Sequence, residues 1–111
     1  MKPIEWTGSS LEAVRGFPES ARQQVGYQLY RVQTGLDPTD WKPMSVIGAN
    51  VREIRIHVRD EYRLIYVATF EEAVYVLHAF QKKTRKTAKR DLSLATSRLT
   101  ELIKKRREKK P

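Results

Sequence analysis

Apolar residues recur along the chain at two periods, and the switch between them outlines a fold. Ala21, Val25, Leu29 and Val32 step by four and three, the spacing of one helix face. Pro18 suits the first turn of that helix, where its missing N–H would be unpaired anyway, and Gly35 stands where a left-handed residue ends it. The spacing predicts a helix over 18–34, with Tyr27 and Tyr30 packed at its margin. Upstream, Ser9-x-x-Glu12 has the hydroxyl–carboxylate spacing that satisfies the free amides of a helix start. A short helix over 10–16 follows from it, and Pro3 to Trp6 reads as a short edge strand. Residues 35–50, rich in Gly, Pro, Asp and Asn, read as a loop.

From Val51 the period becomes two. Ile54, Ile56 and Val58 fall on one side of a pleat, and Glu53, Arg55, His57 and Arg59 on the other. Asp60-Glu61 turns the chain into Tyr62–Ala68, and Phe70-Glu71-Glu72 turns it into Ala73–Phe80. These β-branched and aromatic runs predict an antiparallel meander. The helical period then returns over 87–107, where Ala88, Leu92, Ala95, Leu99 and Leu102 form one apolar stripe with Ile103 beside it. The order β-α-α-β-β-β-α predicts an α+β fold, an antiparallel sheet with its helices packed on one face. A single domain over 1–103 and a frayed basic tail over 104–111 are expected.

Composition narrows the chemistry. The 111 residues contain no Cys, which removes disulfides, thiolate metal sites and Cys nucleophiles. Two histidines are too few for an ordinary His-built metal site, so neither a metal nor a cofactor is expected. No stretch approaches the ~20 apolar residues of a membrane span, and the N-terminus lacks the apolar run of a signal peptide. A cytoplasmic protein with no membrane partner is the expectation.

Lys and Arg number 22 against 13 Asp and Glu, a formal charge of +9. The surplus is local: residues 81–111 hold 13 basic and 3 acidic side chains, while residues 1–80 hold 9 and 10. Charge this one-sided points to a polyanion, most often a nucleic acid.

The polar side of the meander gathers candidate site residues: Arg55, His57 and Arg59, then Arg63, then Lys82 and Lys83, with Glu53 as the lone acid. Cleaving RNA without a metal requires taking a proton from the 2′-OH, stabilising charge on the phosphate, and protonating the 5′ oxygen. A planar, permanently charged guanidinium suits the second task, which points to Arg55 and Arg63. His57 or Glu53 could act as base, and Lys82 or His78 as acid. His78 lies within an apolar strand, where a hydrogen-bonded core histidine is the commoner outcome. Arg85, Lys86, Lys89 and Arg90 would add phosphate contacts that position RNA without reading it.

The runs Lys42-Pro43-Met44, Val51-Arg52-Glu53-Ile54-Arg55-Ile56, Tyr62-Arg63-Leu64-Ile65-Tyr66 and Leu77-His78-Ala79-Phe80-Gln81-Lys82-Lys83-Thr84 resemble the RelE/ParE toxin superfamily. More narrowly, they are similar to its HigB-like, phage-derived host-killing branch. The resemblance covers nearly the whole chain and is strongest over 42–90. It implies a RelE-like fold and the toxin of a type II toxin–antitoxin pair, most of whose relatives are ribosome-dependent mRNA endonucleases that work without metal. It places Arg55, Arg63 and Lys82 or Lys83 at basic site positions, and the ribosome, mRNA and a helix-turn-helix antitoxin as partners. Two positions depart from the pattern. Glu53 stands where the best-studied branch has a lysine base, and no tyrosine follows Phe80. A gyrase-inhibiting ParE-type toxin and a non-catalytic nucleic-acid-binding module are the alternatives, since fold alone does not choose among them.

Overall fold

The computed structural model describes residues 1–109. Its elements are β1 (Ile4–Trp6), α1 (Ser10–Arg15), α2 (Glu19–Gln33), β2 (Trp41–Pro43), β3 (Val51–Val58), β4 (Asp60–Val67), β5 (Val74–Lys82) and α3 (Lys89–Glu108). The strands form one sheet in the order β1-β5-β4-β3-β2. The α+β class expected from the periodicity is what the chain adopts, and four features differ from expectation.

The sheet is not wholly antiparallel. The meander β3-β4-β5 is, but β1 pairs with β5 in parallel. A second difference lies in the expected loop, where Trp41–Pro43 forms the edge strand β2 against Arg52–Ile54. Proline is tolerated in an edge strand because the strand's outer side has no ladder to complete.

The third difference concerns layers. Val14 of α1 and Ala21, Val25, Leu29 and Val32 of α2 bury against Ile54, Ile56, Leu64, Tyr66, Val74 and Val76. Ala95, Leu99 and Leu102 of α3 bury instead against Val51, Ile65, Val67 and Leu77. Leu64 and Ile65 are neighbours in one strand and so point to opposite faces. The helices therefore lie on both faces of the sheet, not on one. The apolar runs of β4 and β5 demand this: side chains at consecutive positions are buried, and a strand greasy on both sides needs cover on both.

The fourth difference is at the end of the chain. Residues 104–108, expected to fray, continue α3. Arg106 fastens this last turn by donating to Glu72 at 2.6 and 3.0 Å and by lying 3.9 Å over the Phe70 ring. Positions 110 and 111 of the expected tail lie outside the described residues.

A β-bulge decides which side chains share a face. Tyr66 pairs with Val76 and Ile65 with His78, so Leu77 is the extra residue. An unbroken strand would send His78, Phe80 and Lys82 to the same side as Val74 and Val76. The inserted residue turns them over, onto the face of Ile65, Arg63 and Glu61.

Candidate nucleic-acid interface

On the face that carries α3, the helix covers one half of the sheet and leaves the other open. Register fixes the open half. Arg55 of β3 stands opposite Arg63 of β4, which stands opposite Phe80; His57 stands opposite Glu61, and Glu61 opposite Lys82. Lys42 of β2 faces Glu53 across the next pair. Arg55, His57 and Arg63 are thus brought onto one face as the alternation predicts, and Lys82 joins them through the bulge at Leu77.

Glu53 is fully buried within this array. Its Oε1 lies 3.6 Å from Arg63 Nε and 3.8 Å from Lys42 Nζ, and its Oε2 accepts from the Thr87 hydroxyl at 3.5 Å. It is a counter-ion beneath the surface, held by cations from two strands. Nor is it the lone acid of this face, as the alternation suggested: Glu61 lies in β4, and Asp40 reaches in from the residue before β2.

Arg63 is 4% exposed. It donates to Glu61 Oε1 at 3.1 Å and to the Tyr62 carbonyl at 3.0 Å, besides its approach to Glu53. A guanidinium spent on two carboxylates and a carbonyl is a strut between strands. Arg55 is different. Among the described residues it forms no ion pair, and its partly covered side chain leaves Nε without a hydrogen-bond partner. Two guanidiniums directly opposite repel. Glu53 and Glu61 offset that repulsion through Arg63 and leave Arg55 uncommitted.

His57 is half-exposed and clasped from both sides. Nε2 lies 2.6 Å from Asp40 Oδ2, and Nδ1 lies 2.7 Å from Glu61 Oε1. The hydrogen bonds to Asp40 and then Glu61 raise its pKa above that of an ordinary histidine. With both ring nitrogens turned to carboxylates, the ring offers no lone pair with which to accept a proton, which argues against its expected use as base. Lys82 has its pKa lowered, first by burial and then by Arg63, with Lys42 and Arg55 adding to the effect. An amine so placed gives up its proton more readily than a surface lysine.

His78, weighed as an acid or RNA contact against the commoner outcome of a hydrogen-bonded core histidine, takes the latter place and belongs to the covered half. It is 7% exposed and stacks on Phe80 with ring centroids 5.2 Å apart. Nε2 lies 2.7 Å from Asp91 Oδ1 of α3, and Arg98 Nη1 approaches Nδ1 at 3.1 Å. Burial lowers its pKa, so the neutral ring donates to Asp91 and accepts from Arg98. Gly8, at φ +52°, makes room for this: a Cβ there would fall on the Arg98 guanidinium.

The remaining cations form a periphery. Arg59 is exposed at the β3–β4 reversal with φ +62°, and Lys83, Arg85, Lys86, Lys89 and Arg90 are exposed from the end of β5 into the start of α3. They are free to add phosphate contacts at the edge of the cluster around Glu53. Lys42, Asp40 and Glu61 were missed as site residues.

Among the described residues no helix is long and apolar enough to cross a membrane. The model of a family described as phage-derived protein Gp49-like (DUF891) matches residues 12–100, a span that contains every residue of the cluster. No curated protein matches the chain.

Proposed function

Because the chain belongs to the phage-derived Gp49-like family, which is often toxin-like, we propose that it is the toxin of a type II toxin–antitoxin pair and a ribosome-dependent mRNA endonuclease. The reading places it in the HigB-like branch of the RelE/ParE superfamily. The observation that carries it is the unpartnered, partly covered guanidinium of Arg55, set among cations on the open half of the sheet. Buried polar atoms are ordinarily answered by a partner. Among the described residues the exceptions are Glu53 Oε1, Arg55 Nε and Arg63 Nε, all in this one cluster.

In this reading Arg55 takes the phosphate oxygens and stabilises the charge that builds as the 2′ oxygen attacks phosphorus. Lys82, with its lowered pKa, takes the 2′-OH proton as a free amine and delivers a proton to the 5′ oxygen as its bond to phosphorus breaks. Glu53 and Arg63 act through others: they hold Lys42, Arg55 and Lys82 in register. Side chains alone supply the chemistry, as Asp40, Glu53 and Glu61 are each already engaged by a cation. The exposed cations from Lys83 to Arg90 hold the ribosomal or messenger RNA backbone, and a separate antitoxin keeps the toxin silent.

Primer extension on a translated message after induction in cells tests the reading. Discrete cuts within the coding frame are expected. Intact message with broken chromosomal DNA would replace the nuclease with a gyrase inhibitor. Co-expression of the neighbouring small gene should restore growth and co-purify; failure of every adjacent gene to do either removes the toxin–antitoxin pairing.

A further inference from the structure

Six charged side chains on three adjacent stretches of chain form an almost closed circuit of ion pairs around Arg55. Asp40 Oδ2 meets His57 Nε2 at 2.6 Å, and His57 Nδ1 meets Glu61 Oε1 at 2.7 Å. Glu61 Oε1 lies 3.1 Å from Arg63 Nη2. Arg63 Nε stands 3.6 Å from Glu53 Oε1, which stands 3.8 Å from Lys42 Nζ. The path ends two residues from where it began. Arg55 lies inside it, between Glu53 and His57 on β3 and opposite Arg63, with its N–H donating to the Asp40 carbonyl at 2.9 Å.

Acids and bases alternate around this path in equal number, so it is neutral only while His57 carries a proton. We propose that His57 is a positioning residue whose proton completes this circuit and leaves the charge of Arg55 free for an RNA phosphate. The proposal rests on the reading of Arg55 as the phosphate-binding cation. Geometry requires the proton, because a neutral imidazole has a single N–H and can donate to only one of the two carboxylates. Glu61 responds in kind: its pKa is lowered, first by His57 and then by Arg63. The other charged groups around the ring are Arg55 on its own strand, Arg59 at the reversal, Asp60 and Arg63 on β4, Lys42 near Asp40, and Lys82 on β5.

When the proton leaves, the circuit carries a net negative charge beside Arg55, and one of Asp40 or Glu61 loses its donor. A unit charge a few ångströms from a bound phosphate, in a half-solvated site, is worth about tenfold in affinity. Loss of the His57 proton should therefore weaken RNA binding by roughly that factor.

The test follows two signals on the full chain against pH: binding of a short single-stranded RNA oligonucleotide, and the His57 ring resonances. Binding should weaken about tenfold across the titration of His57 itself. His57→Arg keeps several N–H donors and a fixed charge, and should remove the step while retaining tight binding. His57→Gln, with no charge, should bind weakly at every pH. Glu61→Gln should lower the His57 midpoint. An identical step in His57→Arg overturns the proposal, as does a His57 midpoint that Glu61→Gln leaves unmoved. If no RNA binds at any pH although Glu61→Gln lowers the midpoint, the circuit stands and the phosphate reading of Arg55 is what fails.

Discussion

His57 and His78 lie on one face of one sheet, yet the half of that face beneath α3 and the half beyond it treat the imidazole in opposite ways. Under α3 the ring is neutral, stacked and shared between Asp91 and Arg98. Beyond the helix it is half in water and gripped by two carboxylates, which raise its pKa. The same contrast runs through the neighbours. The covered half is closed by apolar side chains of α3 and by polar groups that answer one another. The open half is organised by charge around Glu53 and holds the buried side-chain atoms that lack partners. A polar side chain thus becomes structural or available according to whether something packs over it, and sequence period alone carries no record of that cover.

Substitutions within the open half should separate its strut from its working cation, and the strut gives the larger effect. Arg63→Ala leaves Glu53 buried with only a distant Lys42 and the long Thr87 contact, so it should cost about 3–5 kcal/mol of stability, the range for stranding one partner of a buried pair. Chemical denaturation reads it directly. Arg55→Ala should leave the unfolding midpoint nearly unchanged and lower the cleavage rate by about 100-fold or more, the scale of one electrostatic stabiliser. A large stability loss in Arg55→Ala, or a merely catalytic loss in Arg63→Ala, would reverse their roles.

In the covered half the same measurements should diverge the other way. Leu99 packs from α3 onto the sheet and fills the space above Gly48, where a Cβ would sit 2.6 Å from Leu99 Cδ2. Leu99→Ala should cost about 2–5 kcal/mol, the range for such deletions in a core. RNA binding by the protein that remains folded should be unaffected.

How much of this was legible depended on period and length. Long elements announced themselves: the stripes of α2 and α3 and the alternation of β3 each repeat often enough to fix a face. Cover on both faces was also written in the chain, in the unbroken apolar runs Leu64–Val67 and Val74–Val76, where alternation fails. The three-residue strands are too short to show a period, so β2 passed as loop and the parallel direction of β1 had no local mark. Arg55 could be placed by alternation alone. Lys82 reaches the same face only through the bulge at Leu77, which no pattern of residues signals. The partners of His57 were hidden for a related reason. The chain reverses at Arg59 rather than at Asp60-Glu61, which puts Glu61 inside β4 and directly across from His57.

The smallest expected effect is also the sharpest test of the contrast between the halves, because the two histidines should tilt stability against pH in opposite directions. His78 has its pKa depressed by burial, so as pH falls below the ordinary histidine value of about 6.5 the unfolded chain takes up a proton that the native ring refuses. Stability should therefore drop on acidification, from that value down to the native pKa. His57 has its pKa raised by Asp40 and Glu61, so its contribution is complete below about 6.5 and is lost as pH rises through the native value. Exposure and salt limit the His57 effect to at most about 1 kcal/mol at low ionic strength. Urea midpoints measured across this range should lose the alkaline slope in His57→Gln and keep the acidic one. In His78→Gln the acidic slope should disappear while the alkaline slope stays, at the added cost of disturbing the Asp91 and Arg98 contacts. Loss of both slopes in either variant would mean that the two halves of the face titrate as one network, and the division drawn by the edge of α3 would fall.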